Sequence, residues 1–311
     1  MNELKLLREW DADAPPLTDA ARARARFRLH QAMREPAAPT TIGRRPLLRV
    51  AVAAVAAATV TATVVVAQNA GSSPRTQPVS AATVLRGAAA EERRLEKPIA
   101  PRDDQFIYTK EIIKETPVGG GPTKTYVDES WNSVDGSKKS YVSELGYTQW
   151  VPVFQPGQTT VPPSKWSELK QLPTDPAKLP IALRDLFGRA DYDRPMKADD
   201  WPMVQSHLSG LLRKAVLPKG LRSAAYEALA TVPGIKLLPG RTDADGRPGL
   251  GIQYVGPPGT PWADGGAVLV FDAKTYQYLG MRDQRRAGGT TYEQWSTLAA
   301  NAVVDRVMQR P

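Results

Sequence analysis

The sequence has no cysteine and only two histidines, His30 and His207, in 311 residues. The first absence excludes disulfides, thiolate nucleophiles, Cys-based zinc sites, Cys-ligated iron–sulfur clusters and a thioether lipoprotein anchor. The second leaves almost no material for a His-based metal site. No EF-hand loop, HExxH or GxSxG motif occurs. The run Gly119-Gly120-Gly121-Pro122-Thr123-Lys124 superficially resembles a phosphate loop. It lacks the GxxxxGK[ST] spacing, and Pro122 removes an amide donor, so it reads as a hairpin loop. What is present is ordinary for a folding chain: 41% hydrophobic and 23% charged residues, with 28 Pro and 24 Gly that imply many turns. The length suits one large or two ordinary domains.

The strongest positive signal is an uncharged run of 18 residues, Val50 to Ala67, inside an apolar segment over 46–67. At about 1.5 Å per residue it reaches roughly 27 Å, close to the bilayer core of about 30 Å. Lys5, Arg8, Arg22, Arg24, Arg26, Arg28, Arg34, Arg44 and Arg45 precede it, whereas only Arg75 and Arg86 follow closely. The positive-inside rule then places 1–45 in the cytoplasm and the long C-terminal part outside a cell membrane. Val65-Val66-Ala67 also fits a signal-peptide cleavage site, but a 45-residue leader is long for that role. The expectation is an uncleaved single-pass anchor.

The basic tail, 1–45, holds two short helical candidates separated by Pro15-Pro16. It serves either as a topogenic segment touching anionic lipid or as a docking peptide. In the second use Leu4, Leu7, Trp10, Phe27 and Leu29 are the anchors. Direct nucleic-acid binding is not expected, because the arginine run has no reading element beside it.

A polar linker, 68–78, leads to an outer domain over 79–311 that carries every tryptophan except Trp10. A helix is expected over Val79–Glu96 and a strand over Gln105–Ile113. Strands at Thr123–Val134 and Lys138–Glu144 flank the turn pair Asp135-Gly136. Three amphipathic helices follow, on Leu179/Leu183/Leu186/Phe187, on Val204/Leu208/Leu211/Leu212, and over Leu221–Val232. Strands return at Ile235–Leu238, Gly249–Val255, Ala267–Phe271 and Tyr276–Arg282, and Tyr292–Met308 reads as a closing helix. The fold class is therefore α+β: an antiparallel curved sheet packed against helices, preceded by one transmembrane helix and a short cytoplasmic tail.

Catalytic candidates are thin. His207 sits at the flank of its helix stripe and is expected to be partly solvated, and His30 lies across the membrane from it. The carboxylate pairs Asp103/Asp104, Asp191/Asp193 and Asp199/Asp200 fall at turns or caps. No enzyme, metal or cofactor is expected. A curved sheet with helices across its concave face can instead enclose an apolar cleft. Tyr108, Tyr126, Trp131, Trp150 and Trp166 are candidates for lining it, and the same five would equally serve as ordinary core.

The tail NELKLLREWDADAPPLTDAARARARFRL, the apolar span, and the segments FIYTKE, SWNSVDGS, LPTDPAKLPIAL, LVFDAKTYQYLG and AVVDRVMQRP occur in that order. Together they resemble an uncharacterised membrane-anchored family of high-GC Gram-positive bacteria, often encoded beside extracytoplasmic-function sigma factors. That resemblance implies a sensor or regulator whose tail meets a sigma factor, and it assigns no site residues. The outer domain is also similar in architecture to the lipoprotein-carrier/sigma-regulator half-barrel. That likeness implies a second role, a tethered carrier for a lipid or other apolar ligand.

Overall fold

A computed structural model describes residues 79–155, 158, 160–186, 194–260 and 262–311. The tail, span and linker expected over 1–45, 46–67 and 68–78, with Leu4, Leu7, Trp10, Phe27 and Leu29, lie outside these residues, as do Phe187, Asp191 and Asp193. Among the described residues no helix is long and apolar enough to cross a membrane.

Helix α1, Ala81–Leu95, starts where the Ser80 hydroxyl accepts a bond from the Thr83 amide at 3.1 Å and ends with Arg93 and Arg94 at its negative pole. It buries Val84, Leu85, Ala88 and Ala89. Four strands then run outward as antiparallel neighbours: β1 Phe106–Pro117, β2 Lys124–Ser133, β3 Ser140–Glu144 and β4 Tyr147–Val151. Asp135-Gly136 forms the β2–β3 turn as expected, with Gly136 at φ 76°. Sequence reasoning passed over β4, which is only five residues long and reached through the turn Leu145-Gly146.

The chain next crosses the sheet in helices: α2 Trp166–Leu169, α3 Leu179–Asp185, a 3₁₀ turn Ala198–Asp200, α4 Trp201–Leu212 and α5 Leu221–Leu229. It re-enters at the opposite edge as β5 Ile235–Thr242 and returns through β6 Pro248–Tyr254, β7 Val268–Asp272, β8 Tyr278–Ala287 and β9 Thr290–Val304. The result is one nine-stranded antiparallel sheet, β4-β3-β2-β1-β9-β8-β7-β6-β5. The α+β, curved-sheet expectation for the outer domain holds.

The closing helix expected over Tyr292–Met308 is instead a strand. β9 pairs with β1 from Phe106↔Val304 to Pro117↔Tyr292 and with β8 from Met281↔Ser296 to Ala287↔Thr290. Alanines at 299, 300 and 302 favour a helix locally by only tenths of a kcal/mol each, and a ladder on both sides overrides that. Gly288-Gly289, both at positive φ, close the β8–β9 hairpin, a turn signal of the same kind as Asp-Gly.

Successive side chains of a strand face opposite ways, and the two faces of this sheet hold two cores. Stripes from the helices (Leu179, Leu183, Val204, Leu208, Leu211, Leu221, Leu229) pack with Leu250, Ile252, Leu269, Phe271 and Met281 of the sheet. Ile107 also packs against this large core, while its neighbours Phe106 and Tyr108 belong to a small core on the other face with Trp131 and Val304.

Candidate functional site

Between the helix side of β1–β2 and the end of α4 lies a cleft of about 670 Å³. Alternate residues Ile107, Thr109 and Glu111 of β1, with Ser130 and Asn132 of β2, form its floor. A strap between β4 and α2 forms one wall through Pro152, Phe154, Val161, Pro162 and Ser164. The opposite wall is the end of α4 and the turn after it: Gly210, Arg213, Lys214, Ala215 and Val216.

The strap is fixed at both ends. The Phe154 amide donates to Gly136 O at 3.0 Å and the Trp166 amide to Val134 O at 2.9 Å, so the β2–β3 turn holds both. A Cβ at Gly136 would stand 2.1 Å from Phe154 Cδ2, so the Phe154 ring rests directly on a residue that must lack one. At the middle of the strap, a Cβ on Gly210 would come 2.9 Å from Pro162 Cγ. Two glycines thus let the strap approach both the sheet turn and the helix.

The helical wall is fixed by Arg222 of α5. Its guanidinium donates to Leu212 O at 2.9 Å, Lys214 O at 2.5 Å and Ala215 O at 3.2 Å, and reaches Glu92 of α1 at 3.2 Å. Carbonyls left over at the end of α4 are thereby satisfied, and the turn carrying Arg213 and Lys214 is tied to two helices. Burial pushes the Glu92 carboxyl up, and Arg222 pulls it back in part.

Polar groups cluster at the helical end of the cleft. Lys214 Nζ lies 3.4 Å from Ser164 Oγ, which also accepts from Thr160 Oγ1 at 2.8 Å. Burial pushes the Lys214 ammonium below its usual range. On the floor, burial raises the Glu111 carboxyl, opposed by the Arg213 charge and reinforced by Asp128 and Glu144. Hydrocarbon comes from Ile107 and from Pro152, Phe154, Val161 and Pro162 of the strap, and polar groups lie both on the floor and at the helical end, a mixed lining of the kind that can hold and orient a small molecule. The cleft's volume also falls within the range of about 300–1,000 Å³ for such sites.

None of the five aromatics proposed from sequence lines this cleft. Tyr108, Trp131 and Trp150 lie, with Tyr141, in a row of tilted and edge-on ring contacts across β1–β4, with centroids 5.1, 6.0 and 5.0 Å apart. This row is on the face away from the helices, where Trp131 is buried and Trp150 is 54% exposed. Tyr126 is half-buried on β2, and Trp166 is buried in the large core. The cleft residues are scattered over β1, β2, the end of α4 and an aperiodic strap, with no shared sequence pattern; the one local cue is the proline and glycine content of 152–164.

His207 is not partly solvated but 6% exposed, and burial lowers its pKa to about 4 against a bond to the Leu183 backbone. Gly119-Gly120-Gly121 lies in the β1–β2 loop, as its composition implied. Asp103 and Asp104 sit in a turn. Asp200 is buried and gripped by Arg194 at 2.6 and 2.7 Å. Among the described residues no group of three or more His, Asp or Glu side chains is placed to hold a metal. A second hollow, about 610 Å³, lies among α1, α3 and α5 beside Ile181 and Trp201, and its Arg93 is bonded to Glu227 at 2.7 Å.

No family model and no curated protein matches this chain. Among solved structures it is similar to a LolA superfamily protein from Nitrosomonas europaea, at 10% identity over 74% of this chain and 96% of that chain, with a TM-score of 0.19. A superposition that loose carries no argument about fold or ligand.

Proposed function

We propose that the chain is a non-enzymatic, membrane-tethered binding protein whose outer domain takes the apolar body of a lipid or similar amphiphile. The observation that supports this most is the strap, which is pinned at both ends and spaced by Gly136 and Gly210 around a cleft it does not fill. A filled core would place large side chains where the floor offers Thr109, Ser130 and Asn132. Association costs rigid-body freedom and, in addition, the ordering of any loose wall, so a wall already fixed saves the second cost. Arg222 and the turn bonds supply one.

Titrating the full-length chain with an uncharged alkyl fluorophore tests the reading. Saturable binding that a Thr109→Trp variant loses by at least about ten-fold, with its thermal stability kept, is the expected result. Equal binding by wild type and Thr109→Trp would remove the cleft as the site. In this reading 50–67 anchors the protein and 1–45 sets its orientation. The sigma-factor role would add to it a contact through Leu4, Leu7, Trp10, Phe27 and Leu29, and a pull-down with the 1–45 peptide separates the two.

A further inference from the structure

The proposed cleft leaves one feature without a counter-charge in the fold: a cation in its wall. Several enclosed cations elsewhere in the molecule are given an acid. Arg285 holds Glu115 at 2.6 Å, Arg194 holds Asp200 at 2.6 Å, and Arg184 holds Asp185 at 2.7 Å. Lys214 is half-buried and makes one neutral bond, to Ser164 Oγ, and no carboxylate among the described residues pairs with it. Its own wall brings Arg213 beside it rather than an acid. Taking an ammonium out of water without a counter-charge is costly, and that cost falls when an anion arrives.

Given the binding reading above, on which this rests, we propose that the ligand has an anionic head, a phosphate or carboxylate, seated on Lys214 and Arg213 beside the Ser164 hydroxyl. The alkyl body then runs toward Phe154 and Val161. Four observations support the assignment. Lys214 is a half-buried cation in the cleft wall with no acid paired to it among the described residues. Burial has already lowered its hold on a proton, as expected for a charge awaiting compensation. Arg222 locks the carbonyls of Leu212, Lys214 and Ala215, so the two cations stand on a fixed turn. Thr160 Oγ1 donates to Ser164 Oγ and to Pro162 O, so Thr160 positions Ser164 and leaves the Ser164 hydroxyl proton for an oxyanion next to the ammonium. Among the described residues Glu111 is the one carboxylate lining the cleft, and it lies on the sheet floor under the influence of Arg213.

The test is calorimetric titration of the full-length chain with dodecyl phosphate, dodecyl maltoside and inorganic phosphate, each below its micellar concentration. Wild type is compared with Thr109→Trp, Lys214→Gln and Arg213→Gln. Dodecyl phosphate is expected to bind at least ten-fold tighter than dodecyl maltoside. Lys214→Gln should shrink that ratio to about three-fold or less by weakening dodecyl phosphate, and a thermal unfolding midpoint close to that of wild type shows that the variant is folded. If Lys214→Gln loses maltoside binding as well, the exposed Arg213→Gln decides, with a drop of about three-fold expected for the phosphate only. Equal affinity for the two dodecyl ligands overturns the anionic head and leaves the binding reading standing. Inorganic phosphate binding as tightly as dodecyl phosphate overturns the amphiphile. No difference between wild type and Thr109→Trp with any ligand overturns the cleft itself, and both proposals with it.

Discussion

Arg310 grips Glu129 with two prongs, Nε to Oε1 at 2.7 Å and Nη2 to Oε2 at 2.6 Å, joining the second-last residue to the middle of β2. Tyr108 donates to the same carboxylate at 2.7 Å, and Trp131 donates its indole proton to Gln309 O at 2.6 Å. The C-terminal segment therefore covers the small aromatic core. Arg310 holds the Glu129 carboxyl down at about 2 from an ordinary 4.5. A carboxylate lowered by folding contributes fully above its unfolded value and loses that contribution as pH falls toward the folded one. Arg310→Ala should raise the pH of acid unfolding and leave the pH dependence above about 5 unchanged. Circular dichroism from pH 7 to 2 measures it.

His207 predicts a separate window. Its folded pKa, about 4, lies below the ordinary 6.5, so the buried ring stays neutral in the fold while the unfolded chain gains a proton first. Stability should be constant above about pH 6.5 and decline from there to about pH 4, by roughly 2–3 kcal/mol. Urea midpoints for wild type and His207→Gln across this range check it; the variant should be less stable at pH 7 and flatter in slope.

The two ends of the aromatic row should respond very differently to truncation. Trp131 is 1% exposed and anchors the small core, so Trp131→Ala is expected to cost about 3–5 kcal/mol. Trp150, at the sheet edge, should cost under about 1 kcal/mol. Neither lines the cleft, so a folded Trp150→Ala protein should bind alkyl ligand with unchanged affinity. Denaturant unfolding and the fluorophore titration read the two effects separately.

Gly87 in α1 faces the ring of Tyr276, and a Cβ there would stand 2.1 Å from Tyr276 Cδ2. Tyr276 sits at φ 59° in the β7–β8 turn. Ala in a helix is worth about 1 kcal/mol over Gly, while overpacking costs about 1–3 kcal/mol. Gly87→Ala should therefore cost the protein up to about 2 kcal/mol of stability. In a Tyr276→Ala background the same change should become neutral or stabilising, and a double-mutant cycle by thermal unfolding reads the coupling.

Where local chemistry decides structure, the sequence was legible. Asp135-Gly136 and Asp245-Gly246 marked two turns that form with both glycines at positive φ, and the stripes of α4 and α5 marked helices that bury those residues. β9 was misread because its alanines speak for a helix, whereas its state is set by β1, almost two hundred residues away. The cleft was illegible for a related reason. Its floor comes from β1 and β2, its far wall from α4, and its near wall from a strap without periodicity. The aromatic residues that stood out in the sequence went to the cores and the sheet edge.

The central claim is that an apolar ligand occupies the space between β1–β2 and the strap. Photolabelling of the full-length chain with an alkyl diazirine, followed by peptide mass spectrometry, tests it most directly. The account predicts labels on 151–155, 160–164 and 210–216 that excess unlabelled amphiphile suppresses and Thr109→Trp abolishes. Suppressible labels confined to the hollow beside Ile181 and Trp201, or to the exposed edge at Tyr147 and Trp150, would contradict it.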